Sequence, residues 1–132
     1  MLKIPTALKV SGAAGDYFRK KSFHRAARTF LKSLVQVLAL PEGSYELRTS
    51  SGGPAVAGET VLHGEHLYVQ VFESLQGEPR VLYRACASRG DYCGGTNHEA
   101  RMRELESIEN QSRFVKACRG LIQIGDELRL TA

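Results

Sequence analysis

Residues 16–43, DYFRKKSFHRAARTFLKSLVQVLALPEG, contain the pattern that decides the fold. Asp16 is typical of a helix N-cap, and Pro41 followed by Gly43 ends the pattern. Between them, apolar residues recur at steps of three and four, on one side of a helix with 3.6 residues per turn: Phe23, Ala27, Phe30, Leu34 and Leu38. The sequence therefore predicts a long amphipathic helix between Asp16 and Pro41.

The side of this helix opposite the apolar stripe is basic. At 100° per residue, four of its cations lie within about 60° of one another and form a basic ridge: Lys21, Arg25, Arg28 and Lys32. Arg19 and Lys20 directly precede the ridge. Such a ridge suits the phosphates of nucleic acid or an acidic protein surface, although basic residues are also common on the solvated side of an ordinary amphipathic helix.

A period of two replaces the helical spacing in the middle third of the chain. Two sets of side chains alternate in residues 45–50, 67–72 and 81–88; in the second of these segments, Leu67, Val69 and Val71 alternate with Tyr68, Gln70 and Phe72. A further strand is expected between residues 55 and 62. Short strands with short turns favour an antiparallel sheet of three to four strands. Tyr68 and Phe72 fall on one face of this sheet, where exposed rings would stack unpaired bases unless the helices cover them.

A second helix is predicted to begin near Asn97 or Glu99 and to end at Gly120, because the residues between them keep helical spacing. Residues 121–130 then predict a short C-terminal strand or hairpin, and residues 2–10 predict another short strand. The expected fold class is α+β: a long amphipathic helix, an antiparallel sheet of three to four strands, a second helix and a short C-terminal strand or hairpin. A length of 132 residues fits a single domain, residues 1–132.

Composition excludes several classes of protein. With 42% hydrophobic and 24% charged residues, the chain is neither disordered throughout nor fibrous. No stretch approaches the roughly 20 apolar residues of a membrane-spanning helix, so no membrane partner is expected. Lys3, Pro5 and Lys9 interrupt any apolar segment of an export signal, and three cysteines form no disulfide framework. The expected location is cytoplasmic, with reduced thiols.

The net charge of +4 is unevenly distributed along the chain. Residues 1–40 hold eight basic residues and one acidic residue, whereas residues 41–79 hold one basic residue and six acidic ones. The resulting charges of +7 and −5 predict a dipolar molecule with one basic face. That face would attract nucleic acid, an acidic protein, or the acidic segment of a second copy in a homodimer.

The segment before the second predicted helix is the other candidate site, and it contains Arg89, Asp91, Tyr92, Cys93, Asn97 and His98. Two adjacent glycines within it would let an anion approach the N-terminus of that helix. The same helix end would favour the thiolate of Cys93, with His98 as its base. The spacing matches neither a phosphatase loop nor a phosphate-binding loop. A structural connection is therefore the favoured interpretation, and a small enzyme using Cys93 and His98 is an alternative.

No metal site or cofactor is expected. Zinc-ligand chemistry is present in Cys86, Cys93, His98 and Cys118, but no two cysteines have the close spacing typical of zinc sites. No set of nucleophile, base and oxyanion donors stands out, so the chain is expected not to be an enzyme.

The run from Tyr83-Arg84-Ala85-Cys86 through Arg89, Asp91-Tyr92, Gly94-Gly95 and Asn97-His98 resembles segments of small accessory proteins carried by bacterial plasmids, integrative elements and phages. The resemblance implies an intracellular accessory protein of a mobile element that binds DNA, replication or transfer machinery, or a host defence complex as its inhibitor. Together with the charge pattern, it leads to the hypothesis of a small non-enzymatic protein that engages nucleic acid or a nucleic-acid-bound complex. The contact residues would be Arg19, Lys20, Lys21, Arg25, Arg28 and Lys32, with Tyr68 and Phe72 as a second surface. A protein–protein interaction module acting as a homodimer is the alternative.

Overall fold

The computed structural model describes residues 1–53, 56–89 and 95–131. Within these ranges the elements are α1 (Tyr17–Leu38), β1 (Tyr45–Ser50), β2 (Glu59–Gly64), β3 (Leu67–Glu73), β4 (Pro79–Ala85), β5 (His98–Arg101) and α2 (Ile108–Thr131). The strands pair antiparallel in the order β1-β2-β3-β4-β5. The predicted α+β class is confirmed, and the sheet has five strands instead of the predicted three to four.

The first helix follows the sequence prediction closely. The carboxylate of Asp16 accepts the backbone N–H groups of Phe18 and Arg19 at 2.8 and 3.1 Å, which satisfies two donors that the first turn leaves unpaired. The helix ends where Ala39 takes a left-handed conformation with φ +53°, just before Pro41. The apolar stripe is buried in the core: Phe23, Ala27, Phe30 and Leu34.

Both helices pack on the same face of the sheet. The ring of Phe114 in α2 lies 6.1 Å from the ring of Phe30 in α1 and 5.0 Å from that of Tyr83 in β4. Because successive side chains of a strand point to opposite faces, Tyr68 and Phe72 of β3 lie on the face away from the helices. The sheet therefore has one face buried under helices and one outer face.

The second helix begins at Ile108, and the predicted start near Asn97 or Glu99 is wrong. Residues His98–Arg101 form β5 instead, hydrogen-bonded to β4. A strand at this place satisfies the backbone donors and acceptors along the free edge of β4, which a helix would leave unpaired. A 3₁₀ turn follows, and the hydroxyl of Ser107 then caps the start of α2.

Gly120 does not end α2, which continues to Thr131, so the predicted C-terminal strand or hairpin is wrong. Buried positions continue past Gly120 at steps of three and four: Phe114, Cys118, Leu121 and Gly125. Gly125 lies against His66 and Cys86, where a Cβ atom would overlap the Cys86 carbonyl oxygen. Contact with this end of the sheet therefore favours a continued helix over a stop at the exposed glycine.

The strand predicted in residues 2–10 is also wrong. Thr6–Leu8 and Ala13–Gly15 form 3₁₀ turns, the first of them beginning after Pro5. Proline fixes its own φ and lacks an N–H group, which suits the start of a turn better than a strand interior. Leu2 and Leu8 are nevertheless buried in the core. The apolar spacing therefore identifies buried residues in this segment, but the backbone forms 3₁₀ turns instead of the predicted strand.

Candidate nucleic-acid interface

The helix α1 carries six cations and no acidic residue. These cations are Arg19, Lys20, Lys21, Arg25, Arg28 and Lys32. Lys21, Arg25, Arg28 and Lys32 lie opposite the buried stripe, so the core holds them at the molecular surface. Arg19 and Lys20 lie on the stripe side of the first turns, ahead of the first buried residue. From Lys21 to Lys32 the basic ridge extends over about 16 Å at 1.5 Å per residue. The structure therefore places the four predicted ridge cations on one face of α1, while Arg19 and Lys20 leave the helix at other angles near its N-terminus.

No carboxylate of the described residues pairs with any of these six cations. Elsewhere, seven basic side chains do form ion pairs with Asp or Glu: Lys9, Arg48, Arg80, Arg89, Arg101, Arg103 and Arg113. Within the described ranges, the cations of α1 thus have no carboxylate partner, while seven of the other basic side chains have at least one, three of them sharing Glu78. Uncompensated charge on a rigid helix produces a positive potential that attracts polyanions.

The cations of α1 are placed against the helix dipole. Three of them, Arg19, Lys20 and Lys21, lie near the N-terminus, and the last turn holds none. The N-terminus carries partial positive charge, so each cation there opposes the dipole, with effects of about 0.3–1 kcal/mol per charge. Stabilisation of the helix therefore does not explain where these charges lie.

Two of the six cations lean toward the β1–β2 hairpin. Lys20 Nζ donates to the Gly53 carbonyl oxygen at 3.0 Å, and the Arg28 guanidinium donates to the Thr49 hydroxyl at 3.2 Å. Lys21 Nζ lies 4.9 Å from the centre of the Tyr17 ring, a cation–π distance. Arg25 and Lys32 are exposed and make no such contact with the described residues, and Arg19 is exposed with its guanidinium near Gly12.

A hydrogen-bond chain that is buried at His24 reaches the surface at Arg28. Burial lowers the pKa of His24 by penalising its charged form, so the imidazole is neutral and has one donor and one acceptor. A carbonyl oxygen can only accept, so Nε2–H of His24 donates to Ala57 O at 2.7 Å and Nδ1 accepts from the Thr60 hydroxyl at 2.9 Å. Thr60 then accepts from Thr49 at 3.2 Å, and Thr49 accepts from Arg28. The chain links α1 to the hairpin.

The second surface proposed from the sequence lies elsewhere. Tyr68 and Phe72 are on the outer face of the sheet, so the structure does not join them to the cations of α1. The Tyr68 ring already contacts the Arg84 guanidinium at 4.5 Å and the His63 ring edge-to-face at 5.2 Å, and its hydroxyl donates to Gln70 at 2.9 Å. With Arg84 only 4% exposed, Tyr68 belongs to a packed polar cluster more than to an open platform for bases.

The loop predicted as a candidate site is described only in part. Asp91, Tyr92 and Cys93 lie outside the described residues. Arg89 pairs with Glu65 at 3.1 Å, and Asn97 is exposed. His98 is the first residue of β5, and its ring stacks on Tyr83 at 5.5 Å. Because a strand and not a helix follows this loop, the helix N-terminus expected to bind an anion and to favour the Cys93 thiolate is not there.

The described thiols are buried. Burial raises the pKa of Cys118 to about 12, which keeps its thiol protonated at neutral pH. Cys86 is also buried, with Sγ 3.5 Å from the Gly64 carbonyl oxygen. Among the residues that the structure describes, no three side chains of the His, Cys, Asp or Glu types gather into a metal-binding group.

Two exposed aromatic residues beside the cations were missed by the sequence reasoning. Tyr17 and Phe18 in the first turn of α1 are 65% and 76% exposed, with ring centres 5.6 Å apart. A helical projection would have found them, because at 100° per residue both lie more than 100° away from Phe23 in the apolar stripe. Aromatic rings next to cations are a common composition of single-strand binding surfaces.

The rest of the described chain adds no competing indication of function. No helix in the described ranges combines the length and the apolar character needed to cross a bilayer. Comparisons with protein-family models, with curated proteins and with solved structures gave no match. The cations and exposed aromatic rings of α1 are therefore the features on which a function can be proposed.

Proposed function

We propose that this protein binds the phosphate backbone of nucleic acid, free or within a nucleic-acid-bound complex, through the cations of α1. The observation that supports the proposal most strongly is the contrast in charge pairing. The six cations of α1 have no carboxylate partner among the described residues, whereas seven basic side chains elsewhere have one. Phosphate contacts of this kind supply most of the affinity in binding that does not depend on base sequence.

An ordinary solvated helix face would be expected to look different. Exposed helices commonly gain a few tenths of a kcal/mol from carboxylates three or four residues away from their cations, and from acidic residues in the first turn. No acidic residue lies within α1, and the carboxylate of Asp16 ahead of it caps the backbone and forms no ion pair with a described residue, whereas α2 has the pair Glu109–Arg113 at 2.8 Å. The difference between the two helices favours a polyanionic partner for α1.

The proposal is tested by reversing two charges that make no contact. Arg25 and Lys32 are exposed, and within the described structure their side chains form no ion pair or hydrogen bond, so Arg25→Glu with Lys32→Glu should leave the fold intact. The matched control is Lys3→Glu with Lys116→Glu, two exposed lysines outside α1 whose side chains likewise form no ion pair or hydrogen bond within the described structure, and it changes the net charge by the same amount. Fluorescence anisotropy with labelled DNA and RNA oligonucleotides at low salt should show a loss of at least about tenfold for the α1 variant. The control is expected to stay within about threefold of wild type.

Other outcomes would contradict the proposal. Equal losses in both double variants would mean that net charge alone governs binding. If the wild-type protein binds no oligonucleotide even at low salt, direct recognition of nucleic acid is wrong. An acidic protein surface, including that of a second copy, would then become the favoured partner, and sedimentation at low and high salt would distinguish the two.

A further inference from the structure

A cleft lies at the start of α1, directly beside Arg19. One wall is the first turns of α1, and the other is the segment of 3₁₀ turns that precedes the helix. Its volume is about 270 Å³, just below the roughly 300–1,000 Å³ of pockets for drug-sized ligands, which suits a single ring system. The lining combines apolar side chains, one guanidinium and two hydroxyls: Val10, Ala13, Phe18, Arg19, Ser11 and Ser22.

The walls of this cleft are held in place before any ligand arrives. Gly12 N–H donates to the Gly77 carbonyl oxygen at 3.0 Å, and Ala13 N–H donates to the Glu73 carboxylate at 2.9 Å. These two bonds tie the outer wall to the β3–β4 turn. Gly12 has φ +87°, a backbone conformation that residues with a side chain rarely adopt. The Arg19 guanidinium lies close to Gly12. A preformed cleft loses less conformational freedom on binding.

The exposed ring of Phe18 gives the cleft an aromatic surface. Phe18 is 76% exposed although it forms part of the lining, so its ring can receive a flat apolar partner. Arg19 supplies donors for hydrogen bonds, and Ser11 and Ser22 supply both donors and acceptors. Nucleobases combine flat apolar faces with polar edges, and they stack on aromatic rings without regard to sequence.

We propose that this cleft holds an unpaired base of a single-stranded nucleic acid whose phosphates follow the cations of α1; the inference rests on the proposed function. A single strand carries both groups that this surface can bind, anionic phosphates and exposed base faces, at adjacent positions. A duplex offers the same phosphates but keeps its base faces stacked inside. The surface therefore prefers single strands to duplexes.

The experiment separates base stacking from phosphate binding. Two labelled single strands of equal length are compared, one of mixed sequence and one in which the central nucleotides are abasic, so that the phosphates are unchanged. Wild-type protein should bind the base-carrying strand about five- to 150-fold more tightly, the range expected when one stacked base is lost. Phe18→Ala should remove this preference and leave binding of the abasic strand and of a duplex unchanged. The matched control is Ile108→Ala, another exposed apolar truncation, at the start of α2.

Each result decides between the two proposals. Equal affinity of wild type for both strands, or a preference that Phe18→Ala does not reduce, overturns the single-strand inference. A loss of at least about tenfold in the Arg25→Glu, Lys32→Glu variant would in that case leave the phosphate proposal standing. If no oligonucleotide binds the wild-type protein, both proposals fail together. Binding to phosphatidylserine vesicles that Phe18→Ala abolishes, with no effect of the variant on oligonucleotides, would overturn the inference and assign the cleft to a lipid surface.

Discussion

Gly120 and Gly125 lie five residues apart in α2 and give opposite predictions for the same substitution. Gly120 is exposed, and a Cβ atom there would meet no atom within 4 Å. Alanine is favoured over glycine in a helix interior by about 0.8–1 kcal/mol. We therefore expect Gly120→Ala to raise the free energy of unfolding by about that amount.

Gly125→Ala gains the same helix propensity but adds a collision. Its Cβ would lie within 3.0 Å of the Cys86 carbonyl oxygen and of His66, and backbone atoms cannot rotate away as a flexible side chain does. Forcing extra volume into a packed contact costs about 1–3 kcal/mol. We therefore expect a net loss of stability, together with a shift of α2 away from the sheet.

Urea unfolding followed by circular dichroism measures both effects, and thermal melts should move by roughly 3–5 °C per kcal/mol for a chain of this length. The alternative is that the helix ends at Gly120, as the sequence pattern predicts, with the glycine in a left-handed conformation. Alanine would then be strained there by about 1–2 kcal/mol, so a destabilising Gly120→Ala would refute the continuous helix. A Gly125→Ala variant as stable as Gly120→Ala would refute the close contact with the sheet.

Three further predictions follow from the charges, the histidines and the core. With four cations of α1 directed to solvent, the slope of log affinity against log salt should be about −3 on single strands and about −3.6 on duplexes, and a flat titration would contradict phosphate binding. Burial lowers the pKa of both His24 and His63 from 6.5, so the unfolded chain takes up protons that the folded chain does not as the pH falls through 6.5. Stability should therefore decrease below neutral pH, by at most about 1.4 kcal/mol per pH unit and histidine, and constant stability between pH 7.5 and 5 in urea titrations would argue against it. Phe114→Ala removes the ring between Phe30 and Tyr83 and should cost about 3–5 kcal/mol in the same assay, whereas a loss below about 1 kcal/mol would show that the two helices do not meet there.

The candidate site was predictable where its determinants are local. The basic ridge Lys21, Arg25, Arg28 and Lys32 shares one surface because helical geometry alone sets the angles of its residues. Asp16 marks the start of the helix by capping it. Tyr17 and Phe18 were predictable from the same geometry. The cleft beside Phe18 was not, because its outer wall is positioned by a backbone bond between Gly12 and Gly77, which are far apart in the chain.

The sequence by itself determined the α+β class, the first helix and the alternating strands of the meander, because capping, helical periodicity and strand alternation act between near neighbours. Tertiary structure decided which secondary-structure elements form after Ala85. Residues His98–Arg101 became a strand because the edge of β4 offered hydrogen bonds, and α2 passed Gly120 because Gly125 packs against the far end of the sheet. A free sheet edge and a packing surface exist only once the other strands have folded, so no pattern within these segments could specify them.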